Sequence, residues 1–244
     1  MFHMIRSIAP VIGLLSVAIA DISIAAEVSV PVVGCRTSVQ GEDEGPPDKI
    51  GPLPKLPERE ASALSYYVSS YFTVLAPRGW HCAGLSGSSA FMLFVAADAA
   101  DVNAPPSDGI KGPALQITKS FSGTSGRFDV AQISARLFPQ NRKFVQSVID
   151  EGMQPASNFP TEPYPGDKIV RRTSDIVEFT TPAGQEGMGT HSWLAKGDLP
   201  IHGTAILDMN DEGNIITAEI RLPVDQEKLA EAILKHVEDQ FSSP

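Results

Sequence analysis

Ile201-His202-Gly203-Thr204-Ala205-Ile206-Leu207-Asp208-Met209 and Ile215-Ile216-Thr217-Ala218-Glu219-Ile220-Arg221-Leu222 flank the quartet Asn210-Asp211-Glu212-Gly213. Branched apolar residues suit a pleated surface, and an Asx/Gly quartet is turn chemistry. Three more β-rich runs come first, at Ile169–Val170, Ile176–Thr180 and Thr190–Lys196. Pro182-Ala183-Gly184 and Gly197-Asp198 punctuate them. Short strands joined by tight turns predict an antiparallel meander. Beyond it, Asp225 caps an expected helix. There Leu229, Ile233, Val237 and Phe241 recur every fourth residue with Leu234 beside them, giving one apolar side to pack on the sheet.

Toward the N-terminus, Phe91–Ala96 and Ala114–Phe121 read as strands. Val130–Phe138 and Asn141–Gly152 read as helical, parted by Pro139. Pro57-Glu58-Arg59-Glu60 opens a further helix, with acids at its positive end. Leu64, Tyr67, Val68, Tyr71, Phe72 and Leu75 then recur at spacings of three and four, which predicts one helical face running up to Pro77. Gly79 permits a sharp turn, and Trp80 is expected in the core. Val28–Val33 suggests a short strand, and the proline-rich stretch 41–57 a linker or extended loop. The expected fold is α+β: a single domain over 58–244, with an antiparallel sheet, flanking helices and a C-terminal helix. Residues 27–57 supply an N-terminal strand and linker.

Residues 1–26 read as a signal peptide. Arg6 precedes the uncharged apolar run Ile8–Ala20, and small residues at Ala18, Ala20, Ala25 and Ala26 offer cleavage sites. That run is short for a membrane span, which needs about 20 apolar residues. The net charge of −10 argues against nucleic acid, which demands basic patches. Two cysteines in an exported chain pair most simply with one another, so Cys35–Cys82 is the expected disulfide. The rival reading is lipid attachment at Cys35, because Val32-Val33-Gly34 places a small residue before it.

Val30-Pro31-Val32-Val33-Gly34-Cys35 and Leu75-Ala76-Pro77-Arg78-Gly79-Trp80-His81-Cys82 resemble stretches that recur in a group of uncharacterised exported bacterial proteins. The resemblance covers Val30 to about Val95 and implies export and a cysteine pair, without an activity. The order of elements is similar to that of Mog1/PsbP-like domains, a likeness of layout only.

Familiar catalytic signatures are absent from the sequence. Gly84-Leu85-Ser86-Gly87-Ser88 approaches a nucleophile elbow, but Ser88 stands where glycine belongs and the run precedes a strand. His81-Cys82 would suggest a thiol nucleophile, which a disulfide would consume. One constellation has geometric content. If Gly197-Asp198 is a two-residue turn, Trp193 opposes His202, and His191 joins them on one face of the sheet. Such a face could hold a small ligand, or be a plain polar surface. Arg78, beside Trp80, could meet a partner's carboxylate or make an internal ion pair. The candidate ligand-binding residues are therefore His191, Trp193, His202, Arg78, Trp80 and His81. No catalytic residue, cofactor or metal is assigned, and no partner can be named. The expected function is a non-enzymatic exported domain, periplasmic or secreted, that binds a ligand or partner at the cell envelope. The alternatives are a hydrolase using Ser86 or Ser88 with His191 or His202, and a structural accessory of an envelope assembly.

Overall fold

A computed structural model of the chain describes residues 27–209 and 213–241. The expected signal segment and turn residues 210–212 lie outside the described residues. The elements run in chain order as β1 (Glu27–Val28), β2 (Val32–Gly34), β3 (Arg36–Val39), β4 (Glu42–Glu44), β5 (Leu56–Pro57), α1 (Glu58–Ala63), β6 (Leu64–Val68) and β7 (Thr73–Pro77). There follow β8 (His81–Ser86), β9 (Ala90–Ala96), α2 (Ala99–Asn103), β10 (Ala114–Ser120), α3 (Arg127–Leu137) and α4 (Arg142–Asp150). The last are β11 (Lys168–Arg171), β12 (Ile176–Thr181), β13 (Ile201–Asp208), β14 (Asn214–Arg221) and α5 (Leu229–Phe241).

Nine strands form the main sheet in the order β11-β12-β13-β14-β10-β9-β8-β3-β4. Every neighbouring pair is antiparallel except β3 with β8, so the sheet is mixed rather than purely antiparallel. A smaller sheet, β2-β6-β7, lies apart, and β1 pairs with β5. Alternation along the strands gives the main sheet two faces. The first carries Leu93, Val95, Leu115, Ile117, Ile206, Ile216 and Ile220, packed with the small sheet and with Ile233 and Val237 of α5. The second carries Val177, Phe179, Ala205, Leu207 and Ile215 against Val130, Ile133 and Leu137 of α3. Phe94 and Ala96 of the same face meet Val102 of α2.

Two sequence expectations need correction. The helix expected through Leu75 stops at Ala63, and Leu64–Pro77 is a β-hairpin instead. All five residues of β6 are buried, including both Tyr66 and Tyr67. A strand covered on both sides needs no alternation, so its apolar residues mimicked a helical stripe. Ser69 makes the turn, its hydroxyl accepting from the backbone N–H groups of Tyr71 and Phe72. The second correction concerns Thr190–Lys196, which is not a strand. β13 pairs directly with β12 on one side and β14 on the other, leaving no place for it. Residues 182–200 are a long β12–β13 connection folded over the second face.

Among the described residues Arg78 meets no carboxylate. Its guanidinium donates to the carbonyls of Leu64 and Ala61, closing the end of α1. Trp80 is buried, and its backbone N–H donates to the Tyr67 hydroxyl. Gly79 adopts φ +79°, the left-handed turn that its sequence position suggests. Cys35 and Cys82 are joined by a disulfide. Cys35 lies between β2 of the small sheet and β3 of the main one, so the bond fastens the crossover between the sheets.

Candidate functional site

Cross-strand register organises the second face into rows. Leu85, Met92, Thr118 and Thr217 lie side by side across β8, β9, β10 and β14. Ala83, Phe94, Gln116, Glu219 and Gly203 form the next row, continuing onto β13. α2 covers one end of this face and α3 the other. Between them a window of sheet stays open as a cavity of about 380 Å³. Its floor is Met92, Gln116, Thr118, Ser120 and Thr217, and its walls are Asp129 and Ile133 of α3 and the segment 190–193.

The segment 190–193 is held at both ends. A 3-10 turn, Met188–His191, hangs from the end of β12: Met188 N–H donates to the Asp167 carboxylate at 2.7 Å, and Gly189 N–H donates to the Thr181 hydroxyl at 2.9 Å. Downstream, Ile110 N–H donates to the Trp193 carbonyl and Ala195 N–H to the Ile110 carbonyl. Gly109 makes that clasp possible. It sits at φ +86°, and a Cβ there would stand 2.9 Å from both the Trp193 carbonyl oxygen and the Ala195 Cβ. Arg221, only 1% exposed, reinforces the clasp by donating to the carbonyls of Ile110, Gly112 and Ala195. Burial pushes the guanidinium pKa down; the carbonyl cage satisfies both terminal nitrogens, while Nε is left without a partner among the described residues.

Trp193 is thereby fixed although 41% of its surface is exposed. Its backbone N–H donates to the Gln116 side-chain carbonyl at 2.8 Å, and its ring tilts against Phe94 with centroids 5.5 Å apart. The Gln116 amide donates to the Thr118 hydroxyl, so the amide has one orientation. The cavity thus pairs an open indole with an oriented amide and hydroxyl groups. Its two ionisable lining groups among the described residues are Asp129 and His191. Surrounding protein raises the Asp129 carboxyl pKa, opposed by the His191 ring. It lowers the His191 pKa, an effect opposed by Asp129 and reinforced by Arg136. Both side chains also meet solvent, which screens these influences.

Glu219 stands beside Gln116 in the floor row, 2% exposed, with Oε2 unpartnered. Burial pushes its pKa up to about 8 from 4.5, and the Thr217 hydroxyl opposes that rise. A raised acid holds a proton in the folded state that the unfolded chain releases, so stability falls as pH rises from 4.5 towards 8. Glu219→Gln should flatten this slope and gain stability over the parent at pH 8.5 by a few kcal/mol, on the order of 1.4 kcal/mol per pKa unit. Urea unfolding of both proteins at pH 5.5 and pH 8.5 checks it; identical slopes would place the Glu219 proton elsewhere.

The structure brings together only two of the six nominated residues. His191 and Trp193 line this cavity, but His202 does not join them. It lies on the opposite face, opposite Thr180 in β12, with Nδ1 3.4 Å from the Thr180 hydroxyl and Nε2 3.4 Å from Glu227. The expected pairing of Trp193 with His202 is thus replaced by β12–β13 pairing. Arg78, Trp80 and His81 stand outside the cavity. Ser86 is not brought to either histidine of the hydrolase alternative. The Ser86 hydroxyl donates to the Tyr71 hydroxyl on the first face, whereas His191 stands over the second. Four strand spacings, about 19 Å, separate β8, with Ser86, from β13, with His202.

The residues that sequence reasoning missed are Gln116, Thr118, Asp129 and Thr217. The signal was present in the alternation of β10 and β14. Gln116, Thr118 and Ser120, like Thr217, Glu219 and Arg221, put polar groups on one face of strands that are central in the sheet.

The sequence matches no family model and no curated protein. Among solved structures, the solution structure of cyanobacterial PsbP (CyanoP) from Synechocystis sp. PCC 6803 is weakly similar in fold. The TM-score is 0.32 at 14% identity, over 80% of this chain and 100% of that one.

Proposed function

We propose that this chain is an exported envelope protein whose domain binds a small ligand non-enzymatically, in the open window of the main sheet's second face. The observation that carries the reading is the cavity between α3 and residues 190–193, with its fixed, exposed Trp193 beside an oriented Gln116 amide. Binding sites pair an apolar wall with a few placed polar groups in a volume of this order. A protein that merely presents a polar surface has no use for a tryptophan clamped open by Gly109 and Arg221. The Cys35–Cys82 disulfide fits an oxidising compartment, which supports export. No helix among the described residues is long and apolar enough to cross a membrane. Mapping the amide shifts of the mature protein against a small-molecule library tests the reading. Shifts centred on Thr118, Ile133 and Trp193 are expected.

A further inference from the structure

We infer that the cavity beside Trp193 selects an organic cation with an apolar body, an ammonium compound in its simplest form. The inference rests on the ligand-binding reading above and names its chemical class. Asp129 is the first ground. Its side chain lines the cavity, and the one group shown to act on it electrostatically is the His191 ring on the facing wall. The two arginines of α3 make their contacts elsewhere. Arg127 pairs with Glu151 at 2.7 Å. Arg136 lies 3.9 Å over the Tyr164 ring and donates to the Glu162 carbonyl. His191 is held below its ordinary pKa by burial, so its ring gives Asp129 weaker compensation than a fixed cation would.

The indole is the second ground. An aromatic face attracts a cation within about 6 Å of its centroid, tryptophan most strongly. Trp193 is 41% exposed and turned to the same cavity as Asp129. The third ground is the floor. Met92, with Leu85 next to it in the row and 38% exposed, offers an apolar track for the hydrocarbon part of the ligand. Among the described residues no lysine or arginine lines the cavity, so an anion would find no counter-charge there. The net charge of −10 favours the approach of cations in the same sense.

The experiment compares choline with its uncharged isostere 3,3-dimethylbutan-1-ol on the mature protein, at matched ionic strength, following Trp193 emission. Trp80 is buried and gives a constant background, which Trp193→Phe isolates. Choline is expected to bind at least tenfold more tightly than the alcohol. Asp129→Asn should bring the two within about twofold while the melting temperature stays near that of the parent. If Asp129→Asn fails to fold, the choline-to-alcohol ratio in the parent decides the matter alone. Equal affinities, a preference that survives Asp129→Asn, or no binding of choline would overturn the inference. The binding reading would still stand in those cases if library compounds shift the cavity amides, and would fall with it if none does.

Discussion

Ile233→Asp is expected to destabilise the fold by about 3–5 kcal/mol, the usual cost of an uncompensated charge in a core. Ile233 is fully buried in α5, in one cluster with Ile206, Ile216 and Ile220 of the main sheet and Leu75 of the small one. An aspartate there loses the apolar contacts and gains no partner. α5 is further tied to both sheets, by Thr204 donating to Glu238 and Gln240 donating to the Thr73 carbonyl. Lys235→Ala serves as the control. Lys235 sits on the solvent side, paired with Asp239 where both are well exposed, and its loss should leave the midpoint in place. Urea unfolding measures both variants. An unchanged midpoint for Ile233→Asp would show that α5 is peripheral to the core.

Removing the disulfide should have an effect of similar size. Cys35 and Cys82 are 47 residues apart in sequence, and closing such a loop is worth about 4 kcal/mol in the chain-entropy account. The double variant Cys35→Ala, Cys82→Ala should unfold at correspondingly lower denaturant. β2 and β3 are three and four residues long, and each pairs in parallel with a strand distant in sequence, so the crossover should loosen first. Hydrogen exchange at Thr37 and Val33 should then rise more than at Ile117. Thiol labelling of the denatured, unreduced parent should find no free thiol. Two labelled thiols would contradict the bond and with it the argument for an oxidising compartment.

The parts of this fold that sequence made legible share one property: local pattern and final environment agree. β13 and β14 flank turn chemistry, and α5 shows its apolar positions at the helical period. The cysteine pair follows from count and context. The hairpin at Leu64–Pro77 was illegible because both faces of β6 are buried, which removes the two-residue period that marks a strand. Thr190–Lys196 has strand-like residues, but its place in the sheet is taken by β12, and a pairing contest between distant segments leaves no local trace. His191 and Trp193 were therefore nominated from a register that does not form, and they reach the candidate site through a loop clasp instead. The burial of Glu219 and Arg221 has no local signal, because an α3–loop roof over a nine-stranded sheet cannot be seen in β14 alone.

On the proposed reading, the sheet window framed by α3 and residues 190–193 is where this protein holds a ligand. Backbone amide shift mapping of the isotopically labelled mature chain, titrated with choline and then with the mixed library, addresses it most directly. Saturable shifts are expected at Thr118, Asp129, Ile133, Trp193 and Thr217, with residues near His202 and α5 unmoved. Shifts confined to the grooves around α5, or none anywhere across the library, would contradict it.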